Sequence, residues 1–345
     1  MPEPEAVEVI RTFQERILAL ESRTAATMVR QYGPIWRELQ GELTSLLAQI
    51  EGQQMSFAQV KRLERYNALV AQVNAQVTAF ADAAGGLVTE AQRDAVGLSN
   101  QMVRRSVDAR LPAGISTETL AAVGIEWNTL PAGAVEAFAG ISGDGAPLGR
   151  LLAPLGPETA LGVTEGISQG IALGRNPIRT ARLIRDRVGM GLNRALRISR
   201  TETLRAYRES TRMGYESNRD VVKGWRRVAA HDGLTCFACL ALDGTLYETR
   251  TPMDAHPNCR CGMVPETIGY RDIGLDVPED SRQRELGPEW FKRQPVTVQR
   301  NMMGPKTFDA WQGGQFEIED MAKVTVDPVW GASATQKPLK ELVRV

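Results

Sequence analysis

Apolar residues recur at alternating three- and four-residue steps from the start of the chain. Ile10, Phe13, Ile17, Leu20 and Met28, with Thr24 in register, form a narrow seam on one helical face. Gly33-Pro34 predicts an interruption, because proline removes a helical donor and clashes with the preceding turn. The seam resumes at Ile35, Leu39, Leu43, Leu46 and Ile50, and Glu51-Gly52 predicts its end. Ser56 with Gln59 is a capping-box start for a further helix carrying Leu63, Tyr66, Val70, Val73, Val77 and Phe80. A third helix is predicted from Gly85-Gly86 to about Arg110. Residues 1–110 therefore read as a helical hairpin or bundle, whose narrow seams pack on each other or leave one face for a partner protein.

Residues 111–175 are rich in Gly, Ala and Pro, as in Pro131-Ala132-Gly133 and Gly143-Asp144-Gly145. They predict a connector with short, weak helices, since glycine costs about 1 kcal/mol per helical position. Helical pattern returns at Asn176-Pro177, a favourable start, and Gly189 and Gly191 predict a break before a longer helix. On that helix Arg194, Arg197, Arg205, Arg208, Arg212 and Arg219 share one narrow face, with Glu202, Glu209 and Glu216 each three residues before an arginine. Such a stripe reads either as a solvated face or as a contact for phosphates or an acidic protein surface. The opposite face, Leu192, Leu196, Ser199, Thr203, Ala206, Tyr207, Ser210 and Gly214, is mostly small and suited to close packing.

The period then changes. Val221-Val222, Trp225 through Val228, Leu246-Tyr247 and Met263-Val264 predict short strands, with Asp243-Gly244 as a hairpin turn signal. After Pro265 a Gly/Asp/Pro-rich linker is expected to about Gly287. A tail punctuated by Gly287-Pro288, Gln294-Pro295, Gly304-Pro305 and Gly313-Gly314 then predicts a string of short helices.

Composition narrows the function classes. The 345 residues carry 41 basic and 41 acidic side chains, so no global field draws the chain to nucleic acid or membrane. A local excess of about ten basic charges lies between residues 171 and 230. No apolar run approaches the roughly 20 residues that span a bilayer, and the acidic Met1-Pro2-Glu3-Pro4-Glu5 start does not resemble a secretory signal. A reducing cytoplasm is the expected site of synthesis and assembly.

All four cysteines lie between Cys236 and Cys261. Cys236 and Cys239 are two residues apart, sixteen residues follow, and His256-Pro257-Asn258-Cys259-Arg260-Cys261 closes the cluster. Two ligand pairs at the ends of such a loop can enclose one tetrahedral zinc ion. Cys236 and Cys239 supply one pair, and His256 with either Cys259 or Cys261 the other; His231 is a weaker fifth candidate. Four protein ligands fill the shell, so the expected role is structural. Metal-free core cysteines and a disulfide formed after assembly are the alternatives. Only two histidines are present, and no phosphate loop or nucleophile elbow appears, so no active site is expected.

Arg200-Thr201-Glu202, Gly224-Trp225, Thr235-Cys236-x-x-Cys239, Leu242-Asp243-Gly244 and His256-Pro257-Asn258-Cys259-Arg260-Cys261 together resemble the phage Mu F-like family of head-morphogenesis, or minor capsid, proteins. The resemblance covers roughly residues 180–267. The tail, with Trp290, Gln294-Pro295, Val298-Gln299, Gly304 and Trp330-Gly331, is similar to segments that often follow the domain. Not all members keep the first cysteine pair, which implies a local staple. The resemblance implies a non-enzymatic virion protein in the capsid interior near the portal, present in host cytoplasm during assembly. Portal protein, capsid or scaffold proteins and packaged double-stranded DNA are its implied partners, with no membrane, and head assembly and DNA packaging or ejection its implied processes. The rival readings are an ADP-ribosyl transferase-like or nuclease-like enzyme, with Arg200 and Glu202 as first suspects, and a sequence-independent DNA-binding module. The expected architecture is α+β and predominantly α-helical: a helical hairpin or bundle (1–110), a connector (111–175), a Cys/His-stapled domain with a small antiparallel sheet (176–267), and a linker with a short-helix tail (268–345).

Overall fold

The structure, a computed structural model, describes residues 4–112, 114–120, 126–131, 133–134, 137–142, 145–273, 276, 278, 284–327 and 330–343. The Met1-Pro2-Glu3 start, Ala132, Gly143-Asp144 and, in the expected linker, Gly274, Leu275, Val277 and residues 279–283 lie outside these residues. The elements run α1 (Glu5–Gly52), α2 (Phe57–Val60), α3 (Glu64–Asp108), α4 (Gly149–Leu152), α5 (Leu155–Ala172), α6 (Pro177–Ser217), β1 (Val222–Val228), α7 (Phe237–Ala241), β2 (Leu246–Tyr247) and β3 (Gly262–Thr267). There follow α8 (Gly287–Lys292), α9 (Val296–Met303), α10 (Pro305–Gln312), β4 (Ala322–Asp327), β5 (Gly331–Gln336) and α11 (Leu339–Leu342). The chain is thus a predominantly helical α+β protein with small antiparallel sheets, as the sequence pattern predicts. Among the described residues, no helix is long and apolar enough to cross a membrane.

Three expected helix breaks are absent. Helix α1 runs through Gly33-Pro34. Pro34 is exposed while Tyr32 and Leu39 beside it are buried, so the carbonyl that proline leaves unpaired can be hydrated. The capping box at Ser56 exists, its backbone N–H donating to Gln59 Oε1 at 2.8 Å, but it opens only the single turn α2. Helix α3 runs through Gly85-Gly86, with Phe80, Ala84, Val88, Ala91 and Ala95 buried on one face across them. Helix α6 runs through Gly189 and Gly191.

The chain packs as two compact units built from discontinuous segments, rather than as four consecutive ones. One comprises Leu20–Ala91 and Gly140–Thr203. Here α5, expected as weak connector, is a full 18-residue helix. Its glycines at four-residue spacing explain this. A methyl placed on Gly162 would meet Arg187 Cβ at 3.4 Å, on Gly166 Ile184 Cγ1 at 2.5 Å, and on Gly170 Thr180 Oγ1 at 2.4 Å. The stripe lets antiparallel α5 and α6 approach closely, and that packing outweighs glycine's poor propensity. Tyr32 adds a buried tie, its hydroxyl donating to Val188 O at 2.8 Å and its ring meeting Phe80 edge-on.

The other unit comprises Met1–Ala19, Gln92–Ala139 and Leu204–Val345. Its three-stranded sheet has the order β2-β1-β3, antiparallel throughout, with Trp225 opposite both Tyr247 and Pro265. The small face expected on α6 packs on α3: Ser99 and Thr211 hydroxyls lie 2.9 Å apart, and buried Tyr215 donates to Met263 O at 3.2 Å. The tail departs from a string of helices. After α8–α10, Lys323-Val324-Thr325-Val326 forms the core of β4, which pairs antiparallel with β5. Alternating β-branched residues carry that preference. Phe237, Leu240, Phe291, Met303, Phe308, Phe316, Ile318, Met321 and Leu342 form one core, so the tail closes on helix α7.

Candidate metal centre

Helix α7 has two faces. Phe237 and Leu240 enter the tail core, while Cys236 and Cys239 belong to the sulfur cluster. Cys236 is the extended residue preceding the helix, and its carbonyl accepts from Leu240 N–H at 3.1 Å. Cys239 sits one turn on, which brings both thiols to one side.

The second donor group comes from a turn in which Cys259 N–H donates to His256 O at 3.0 Å, with Asn258 at φ +64°. Asparagine tolerates that left-handed conformation. His256 Nδ1 lies 2.8 Å from Pro257 O; since a carbonyl only accepts, Nδ1 carries the hydrogen. Nε2 is then the nitrogen that faces the sulfurs, the orientation a metal-ligating histidine needs.

The donors converge. His256 Nε2 lies 3.1 Å from Cys236 Sγ and 3.4 Å from Cys239 Sγ, and Cys239 Sγ lies 3.8 Å from Cys259 Sγ. Cys236, Cys239 and His256 form one group with mutual distances within 4.8 Å; Cys239, Cys259 and Cys261 form another. Cys239 belongs to both. The donor chemistry, thiolates with one imidazole, suits a borderline-soft ion such as zinc, and each group could hold a metal ion.

Two arginines close the cluster. Arg227 on β1 is 1% exposed; it donates to Cys239 Sγ at 3.4 Å, Cys259 Sγ at 3.7 Å and Asp254 O at 3.2 Å. Arg208, also buried, donates to Cys259 O at 2.9 Å. Hydrogen bonding from Cys239 takes the Cys236 thiol down to about 4 against the opposing effect of burial, with His256 helping. Cys239 and Cys261 hydrogen bonds, aided by the arginines, hold Cys259 well below its usual range. The Cys236 hydrogen bond raises His256 to about 9, and Cys239 is pushed well up by its sulfur neighbours. Arg208 and Arg227 thus favour the Cys259 thiolate, the form that binds metal, whereas Cys261, like Cys239, is pushed up.

His231 is not a member of the donor groups. Its Nε2 lies 2.6 Å from Asp243 Oδ2, and its ring stacks on Trp290. Asp243, expected only as a turn residue, is fully buried. It also accepts from Arg284 and from Ala229 N–H at 2.8 Å. Arg260 forms a bidentate pair with Asp232 at 2.6 Å, and Asp232 caps Leu234 N–H, so the loop before Cys236 is pinned to the loop holding Cys259 and Cys261.

The arginine stripe is not one solvated face. Arg208 is buried and cannot meet phosphate. Arg194 pairs with Glu158 at 2.5 Å, Arg205 donates to Trp330 O at 3.2 Å, and Arg212 pairs with Glu209 and donates to Arg250 O. Arg197 and Arg219 remain exposed. Of the enzyme suspects, Arg200 pairs with buried Glu21 at 3.0 Å, and Glu202 is buried. The burial of Arg208, Arg227 and Asp243 escaped the sequence reading. Their residue types signal surface, and only the Leu242-Asp243-Gly244 motif hinted otherwise.

No curated protein and no solved structure matches the chain. Residues 162–264 match the family model described as Phage Mu protein F like protein. The match begins within the glycine-striped α5, earlier than the motifs alone suggested, and ends in β3 after taking in all five cluster donors. Over residues 162–264, this chain is similar to the phage Mu F-like family.

Proposed function

We propose that this chain is a non-enzymatic minor head protein of a phage, acting in head morphogenesis from the capsid interior near the portal. The family match supports the assembly role. The observation that carries the structural reading is the enclosure of the sulfur cluster: Cys239, Cys259 and Cys261 are buried, and Arg208 and Arg227 pack against them. Zinc held there by Cys236, Cys239, His256 and Cys259 would have a full tetrahedral shell. The 3.8 Å between Cys239 and Cys259 sulfurs equals the edge of a tetrahedron with zinc–sulfur bonds of about 2.3 Å, so Cys259 suits the fourth position, with Cys261 of the same group as its alternative. The ion supplies a cross-link. The chain's residues use it to tie helix α7, and through it the tail core, to the loop preceding β3.

The portal, capsid or scaffold proteins are the proposed partners. Packaged DNA is left less than the full stripe, at Arg197 and, separately, at Arg219. The test has two arms. Elemental analysis of freshly purified chain should find close to one zinc per chain, and purified heads should contain the chain together with the portal. Heads that assemble, package and eject normally without the chain would overturn the assembly role. Turnover of a labelled nicotinamide cofactor or of DNA, abolished by Arg200→Ala or Glu202→Ala, would overturn the non-enzymatic reading.

A further inference from the structure

A groove of about 310 Å³ lies between α1 and the start of α6, within one compact unit. Its floor is apolar: Leu43 and Leu47 are buried, Trp36 is half-buried, and Ile178 stands 65% exposed at the edge. Its rim is basic, with Arg182 and Arg185 lining it and Arg175 and Arg179 exposed nearby in sequence. Between residues 175 and 186 there are four arginines and one acid, Asp186, which pairs with the adjacent Arg185 at 3.1 Å. Arg175, Arg179 and Arg182 make no ion pair among the described residues. Of the acids on the facing part of α1, Glu38 is held by Gln72 and Glu42 by Arg65, both on α3, and neither makes an ion pair with the rim arginines. The α6 amino terminus adds positive potential of its own.

We infer that this groove docks an acidic amphipathic helical segment of another head protein, an inference that rests on the proposed assembly role. Trp36 to Leu47 spans about 17 Å of helix axis, room for roughly three turns of a ligand helix. A groove between two helices recognises apolar residues at i, i+3 or i+4, and i+7, while acidic flanks would meet the arginine rim. The apolar edge argues against nucleic acid, whose phosphates would engage the rim and leave Ile178 and half-buried Trp36 wet. The basic rim argues against a second copy, because a two-fold contact would set these arginines against themselves.

The test pans a displayed library of random peptides, each long enough for three helical turns, against the full chain, with Ile178→Glu as counter-selection. Enriched peptides should share apolar residues at helical spacing with Asp or Glu beside them. A representative labelled peptide should lose about tenfold or more in affinity with Ile178→Glu, and similarly with Arg182→Glu. Both positions are exposed, and unchanged circular dichroism and metal content would show that folding is intact. No enrichment over the counter-selection, or enriched peptides without acids, would overturn the inference. So would binding of short duplex DNA that Arg182→Glu abolishes and Ile178→Ala leaves unchanged, or a dimer in the ultracentrifuge that Ile178→Glu dissolves. Head assembly is scored separately by complementation, so failure of the groove and failure of the assembly role are distinguishable.

Discussion

The segment from β1 to β3 and the α5–α6 hairpin are held together by different physics. The hairpin buries Val163, Ile167, Ile184 and Val188 along a glycine stripe, and its stability is spread over many small contacts. The β1–β3 segment has strands of seven, two and six residues and places Arg227, Asp243 and the cysteines in its interior. Dispersed apolar packing loses a little with each change. A buried polar network loses a great deal at once, because removing one member strands the others. The two regions should therefore fail separately, the network region more steeply.

Cys239→Ser breaks the comparison most severely, because Cys239 is common to both donor groups. Metal content should fall to background and the loops around α7 should lose hydrogen-exchange protection, since structural zinc contributes on the order of 10 kcal/mol to small sites. Protection in α5 should persist. Equal loss in both regions would show that they do not fail separately.

Arg227→Met comes next. It keeps an unbranched stem but removes the donors to Cys239, Cys259 and Asp254 O. Breaking a buried charge pairing costs about 3–5 kcal/mol, so thermal stability should drop and a chelator should strip the metal faster. Wild-type release would mean that the guanidinium does not brace the sulfurs.

What was legible in the sequence follows the same division. Short strands at Val222–Val228, Leu246–Tyr247 and around Met263 could be read because β-branched and aromatic residues break sharply from the helical period. The donor cluster could be read because cysteine and histidine at those spacings have few other uses. The continuity of α1, α3 and α6 could not, since a glycine that ends a helix and a glycine that admits a neighbour look alike until the neighbour is placed; Gly191 lies against Thr159. Nor could the inward turn of Arg208 on its charged stripe or of Arg227 in β1, because arginine there carries no local sign of burial. The β4–β5 hairpin had a signal in Val324-Thr325-Val326 that the surrounding helix punctuation masked.

Asp243→Asn sharpens the comparison through pH. Burial pushes the Asp243 carboxyl up, but His231 and Arg284 pull it further down, to a net position below its ordinary value. A depressed carboxylate contributes stability that is complete above its unfolded value and is lost as pH falls through the native one. The wild-type chain should thus lose this contribution below the usual carboxylate range, and the variant should not show that acid-side loss. At neutral pH the variant should be less stable by about 2 kcal/mol, the scale of hydrogen bonds to a charged group. Parallel acid melting curves for the two proteins would remove Asp243 from the network.

The smallest expected effect tests the hairpin side. At Gly166, alanine brings two opposed terms. It improves helix propensity by about 1 kcal/mol, and it sets a methyl 2.5 Å from Ile184 Cγ1, where overpacking costs about 1–3 kcal/mol. Ile184 is buried and its Cγ1 is near the backbone, so it cannot simply swing aside, and the steric term should win by about 1 kcal/mol. The sign of the interaction is the more discriminating readout. In a double-mutant cycle with Ile184→Ala, which removes the offending carbon, Gly166→Ala should become neutral or stabilising, because only the propensity gain survives. If it stays equally destabilising, the stripe is not where α5 and α6 meet. Throughout the cycle metal content and protection around α7 should stay at wild-type values, as dispersed packing and a directed polar network in separate units require.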